Sequence, residues 1–86
     1  MASKTIYTQP YRELVQRLRL QREALGLTQT DVARRLGWPQ QRLSAVEAGA
    51  RRLDIIEFIE LASQLDLDLT ELLTTLRNAV VGLGSK

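Results

Sequence analysis

Three glycines, Gly26, Gly37 and Gly49, divide the first part of this chain, and each follows a stretch with helical periodicity. Glycine takes the left-handed conformation that ends a helix and reverses the chain at no side-chain cost. The spacing predicts helices too short to be stable alone, so they must turn back and pack on one another. Ahead of Gly26, apolar Tyr11, Leu14, Val15, Leu18 and Leu25 recur at helical spacing, and Pro10 suits the first turn. Thr28-Gln29-Thr30-Asp31 has the form of a capping box, with Asp in place of Glu or Gln. It opens a second helix with Val32, Ala33 and Leu36 inward, and Gly37 ends it.

A third helix is expected over about residues 39–48, with Leu43 and Val46 inward and Gly49 as its stop. A fourth runs from about Asp54 to Leu65 and turns Ile55, Phe58, Ile59, Ala62 and Leu65 to one side. Asp68 and Glu71 form a second capping box, opening a fifth helix through Leu69, Leu72, Leu73 and Leu76. No strand pattern exceeds four residues, so the expected class is all-α, five short helices around one core. The organisation reads as an arm at 1–9, a domain at 10–76, and a helical extension with tail at 77–86.

Composition narrows the chemistry. The 86 residues include neither cysteine nor histidine. Disulfides, thiol nucleophiles, imidazole bases and the usual zinc sites are therefore excluded. No carboxylate pair, nucleophile–base pair or glycine-rich phosphate loop is visible, so neither an enzyme nor a cofactor or metal is expected. Asp66 and Asp68 lack the further oxygens of a calcium loop, and capping explains them better. No apolar run approaches the roughly 18 residues of a membrane span. The N-terminus lacks a signal-peptide core. The expectation is a soluble cytoplasmic protein.

The net charge of +2 hides an asymmetry. Residues 1–53 carry ten bases against four acids, whereas residues 54–86 carry two bases against six acids. Ten of the twelve cations are arginine, which suits bidentate contact with phosphate and guanine. One face offered to a polyanion and another turned away from it would account for this distribution.

The stretch GWPQQRLSAVEAG, residues 37–49, shows what that face would carry. Two short helices joined at Gly37 have the layout of a helix-turn-helix, with small Ala33 where they cross. Leu43 and Val46 anchor the second of them, which leaves Gln40, Gln41, Arg42, Ser44 and Ala45 near the exposed front. In a major groove glutamine pairs with adenine, arginine with guanine, and alanine touches a thymine methyl. Trp38 reads as a packing residue.

Together, LRLQREALGLTQTDVARRLGWPQQRLSAVEAG and the following LDIIEFIELASQLDLDLTELL resemble the lambda-repressor-like, Cro/repressor type of helix-turn-helix regulator. The resemblance covers about residues 11–76. It implies that Gln29 bonds a phosphate and braces Gln40, which reads a base edge. It puts Gln41, Arg42 and Ala45 on further readout positions, and makes Arg22 and Glu47 an internal ion pair. Pro39 stands where a Ser or Thr cap is usual, and Ala48 where an asparagine is common. Arg51 and Arg52, just beyond the recognition helix, are candidate phosphate clamps.

The implied partner is double-stranded DNA, bound by a repressor acting as a homodimer on a palindromic operator. Leu69, Leu72, Leu73 and Leu76, then Val80 and Leu83, make a longer apolar stripe than one small core needs. The expected dimer contact is at Leu72, Leu76 and Val80. One alternative is an antitoxin that holds a toxin through the arm or the tail and regulates its own operon. Another is a controller protein of a restriction–modification system. No ligand-sensing domain is expected in so short a chain.

Overall fold

Every helix junction in the protein is built from the same few backbone hydrogen bonds. The computed structural model describes residues 8–84, the last two by backbone alone. The arm through residue 7, the tail at 85–86 and the Leu83 side chain thus lie outside the described residues. Five helices follow in order: α1 (Gln9–Ala24), α2 (Gln29–Leu36), α3 (Gln40–Glu47), α4 (Ile55–Gln64) and α5 (Leu69–Gly84). Among the described residues there is no strand. The described residues are thus all-α, five helices in the order that the sequence pattern predicts.

After α1 the Leu27 N–H donates to the Arg22 carbonyl at 3.1 Å, and Gly26 N–H to Glu23 at 2.9 Å. The same pair of bonds recurs after α2 (Trp38 to Ala33, Gly37 to Arg34) and after α3 (Ala50 to Ala45, Gly49 to Val46). These are Schellman ends, which satisfy carbonyls the helix would otherwise leave open. The end of α4 repeats them with Leu67 to Ala62 and Asp66 to Ser63, but without glycine. Asp66 holds φ at 58°, the one positive value among the described non-glycine residues.

The N-termini are less uniform. Thr28 Oγ1 accepts from Asp31 N–H at 3.0 Å and Asp31 Oδ2 accepts from Thr28 N–H at 2.9 Å, so the expected box is present. Asp54 and Glu57 form a second reciprocal box, at 2.7 and 3.1 Å. The box expected at Asp68 and Glu71 is only half made. Asp68 accepts from the Thr70 and Glu71 N–H groups, while the Glu71 carboxylate pairs with Arg17 of α1 at 2.9 Å.

Val32 and Ala33 of α2, Leu43 of α3, and Phe58, Leu61 and Ala62 of α4 meet in one buried cluster. Leu18, Trp38, Leu65 and Leu72 complete it. Here α4 departs from the expected orientation: Ile55 and Ile59 are 60% and 40% exposed, and Leu61 is buried in their place. Both stripes fit a 3.6-residue period. The one containing Phe58, Leu61, Ala62 and Leu65 is the one that closes the core. The fifth helix also faces differently from expectation. Leu72, expected between two copies, is 2% exposed and belongs to the core. Leu76 is half-buried and lines a cleft with Pro10 and Leu14 of α1. Among the described residues, the large apolar side chains that α5 leaves outside are Leu73, Val80 and Val81.

Asp66 puts a strained backbone and a negative charge together at a helix C-terminus, where both are unfavourable. Asp66→Gly removes both at the cost of a more flexible unfolded chain. The variant should gain about 0.5–1 kcal/mol in denaturant unfolding. A loss of stability would mean that the Asp66 side chain is itself a stabilising partner.

Candidate nucleic-acid interface

Leu43 and Val46 fix which way α3 faces. Both are fully buried, and with about 100° per residue the opposite side must carry Gln41, Ala45, Ser44 and Gln40. Gln41 is exposed, and the other three are intermediate. Pro39 gives the helix no side-chain cap, yet its carbonyl accepts from Arg42 N–H at 3.0 Å, and the first turn forms at Gln40. Trp38 is 9% exposed and packs in the core as expected.

On one flank of α3 lies a chain of charge-assisted bonds. The Arg22 Nε–H donates to Glu47 Oε2 at 2.7 Å and its Nη2 to Oε1 at 2.9 Å. The Arg22 Nη1 donates to the Leu27 carbonyl at 2.8 Å, between α1 and α2. Both side chains are about nine-tenths buried. The hydrogen bond to Glu47 raises the Arg22 pKa above its usual value, against the pull of burial. The ion pair is thus a structural tie from α1 to the end of α3.

Glu47 then sets the direction of two amides. Its carboxylate can only accept, so Gln29 turns its NH2 toward it, with Nε2 to Oε1 at 2.9 Å. That leaves Gln29 Oε1 as an acceptor, and Gln40 Nε2 donates to it at 2.7 Å. Gln40 is left with its own oxygen and one N–H for an outside partner. An acceptor beside a donor is the pattern that complements the N6 and N7 edge of adenine.

The other flank is different in kind. Arg42 does not share the front with Gln41. Its guanidinium lies over the Trp38 ring, 5.1 Å from the centroid, and 3.6 Å from Glu57 Oε2. Arg51, expected as a free phosphate clamp, instead donates from both terminal nitrogens to Glu57, each at 3.0 Å. These bonds hold the Glu57 carboxyl below its usual pKa, and raise that of Arg51. Arg52 is exposed and stacks on Tyr11, 5.4 Å from the ring centroid. The Tyr11 hydroxyl accepts from Leu53 N–H at 3.1 Å, so α1 steadies the loop that follows α3. Glu57 is the residue sequence reasoning missed. The spacing Asp54-x-x-Glu57 reports its cap, but nothing local reports its arginines.

Among the described residues no group of three metal-binding side chains comes together, and no helix is long and apolar enough to cross a membrane.

Removing Arg22 leaves the Glu47 charge buried without its partner. Arg22→Ala should lose about 3–5 kcal/mol of stability, as such unpaired buried charges do. Chemical denaturation at neutral pH measures this. A midpoint equal to that of the unmodified chain would mean that Glu47 finds solvent when Arg22 is gone.

Residues 18–72 match the helix-turn-helix family, a span that takes in all of α2, α3 and α4. The chain is also similar to a Sinorhizobium fredii (strain NBRC 101917 / NGR234) protein named as an uncharacterized HTH-type transcriptional regulator. The two are 46% identical over 56 residues, which is 65% of this chain and 71% of that one. A two-helix unit with a polar, internally braced second helix, matched over most of its length, places the chain in the Cro/repressor-type helix-turn-helix family of DNA-binding regulators.

Proposed function

We propose that the protein is a sequence-specific transcriptional repressor that binds a palindromic operator in double-stranded DNA as a homodimer. The observation that carries this reading is the recognition helix itself. Gln40, Gln41, Ser44 and Ala45 share its free side, and Gln40 is oriented in advance through Gln29 and Glu47. In this reading α3 enters the major groove, with Gln40 and Gln41 on base edges, Ala45 on a thymine methyl and Ser44 on either. Gln29 opens α2, where backbone N–H groups and the helix dipole favour a phosphate. Arg42 reaches a guanine from the flank. Arg52 adds a phosphate contact by leaving Tyr11, and Arg51 can do so only by releasing Glu57. A bound dimer represses by occupying sequence that polymerase requires.

The free stripe on α5 supports pairing of two copies. Leu73, Val80 and Val81 are 45%, 52% and 58% exposed, at spacings that place them on one side of the helix. Exposed apolar side chains clustered on one helix face, here with Arg77 among them, favour an interface when they gather into a patch. A two-fold axis there sets two recognition helices about 34 Å apart, in successive major grooves. A second reading, an antitoxin-like protein that also holds a partner such as a toxin, draws on α4. Ile55, Ile56 and Ile59 form another exposed apolar strip, close to the recognition helix in sequence. Co-purification of a stoichiometric partner, released by an Ile56→Glu variant, would favour that reading.

Selection of bound duplexes from a random pool tests the main proposal directly. Gln41→Ala should then cost about 1–3 kcal/mol on the selected site and relax the preference at one position per half-site. Unchanged preference would remove Gln41 from readout. Val80→Glu should give a folded monomer by sedimentation, with weakened, non-cooperative binding to the palindrome. A dimer of unchanged affinity would move the interface away from this stripe.

A further inference from the structure

One carboxylate serves three partners beside the recognition helix. Glu57 accepts both terminal nitrogens of Arg51, lies 3.6 Å from Arg42, and accepts the Asp54 N–H at 3.1 Å. Its side chain is 13% exposed, while those of Arg42 and Arg51 keep 36% and 40%. The anion is therefore held inside and the two cations lie over it, toward solvent. Arg42 is confined on its other side by the Trp38 ring.

A long cationic side chain beside a groove has two uses. It grips one base edge in a fixed geometry, or it follows whichever phosphate is nearest. The second needs a mobile head whose charge no neighbour offsets, whereas Arg42 lies over Trp38 and 3.6 Å from the Glu57 carboxylate. Arg51, in a bidentate pair, is held more firmly still. We infer that Glu57 sharpens sequence discrimination here: it positions Arg42 for one base and offsets the phosphate attraction of Arg42 and Arg51. This rests on the DNA-binding reading above.

The test uses the full chain carrying E57Q or E57D. Glutamine keeps a carbonyl oxygen for the Asp54 N–H but removes the charge, whereas aspartate keeps the charge and withdraws it by one methylene. Each variant is titrated, over a range of salt, with the duplex that the unmodified chain selects and with a scrambled duplex of equal length. Melting curves are recorded alongside. For E57Q, affinity for the scrambled duplex should rise about 3–10-fold at low salt, and the salt slope should steepen by about one. Its ratio of selected to scrambled affinity should fall about tenfold. E57D should keep the original slope but relax the preference at the base pair that Arg42 reads. If slope and ratio are unchanged in E57Q, or both affinities fall together with stability, Glu57 is a cap only and the inference fails. Should E57Q not fold, unchanged preference in E57D overturns it equally well. A chain that selects no sequence at all overturns the DNA-binding reading itself, before any variant is made.

Discussion

Glu47 carries a negative charge to a place where only 8% of its side chain meets solvent, and Arg22 makes that tolerable. Such a pair adds little net stability compared with apolar side chains of the same shape, because both ions lose their hydration. Its value here is geometric. Arg22 is fixed at three points: two on α3 and one on the backbone between α1 and α2. The angle between the helix-turn-helix and the rest of the protein is therefore set by hydrogen bonds of defined direction as well as by packing. Since Glu47 also accepts from Gln29, the same charge reaches the polar side of α3 as an amide orientation.

Recognition helix α3 is thus braced on both flanks by chemistry of opposite sense. On the Gln40 side a buried anion ends in a neutral amide that presents an acceptor and a donor. On the Arg42 side a shielded anion restrains cations that remain at the surface. Between them Gln41, Ser44 and Ala45 are held by the backbone alone. Hydrophobic anchoring through Leu43 and Val46 supplies the depth, and the polar braces supply the rotation.

Much of this was legible in the sequence where the signal is local. The Thr28–Asp31 box, the three glycines in left-handed conformation and the small Ala33 at the helix crossing are set by neighbours within a few residues. So are the bounds of α1 to α4 and the start of α5, to within a residue or two. What periodicity could not decide was rotation. Residues 55–65 carry two overlapping apolar stripes, and residues 69–83 do as well, so the pattern states that a helix is amphipathic without stating which stripe turns inward. Leu61 against Ile59, and Leu72 against Leu73, were settled by the shape of the space that α1 and α2 leave. Glu71 and Glu57 were opaque for another reason: Arg17 lies 54 residues from Glu71, Arg51 lies 6 from Glu57 and Arg42 farther still, all outside any helical spacing.

The unequal bracing of α3 has an evolutionary consequence. Gln41, Ser44 and Ala45 have no buried partner to abandon, so they can change identity with little effect on folding. On the proposed reading of α3, new target sequences are then accessible through those three positions one substitution at a time. Gln40 and Arg42 are tied into networks that run back to α1 and α4, so a change at either also disturbs residues that hold the domain together. A lineage descended from such a protein should diversify at the middle of its recognition helix while the two flanks stay as they are.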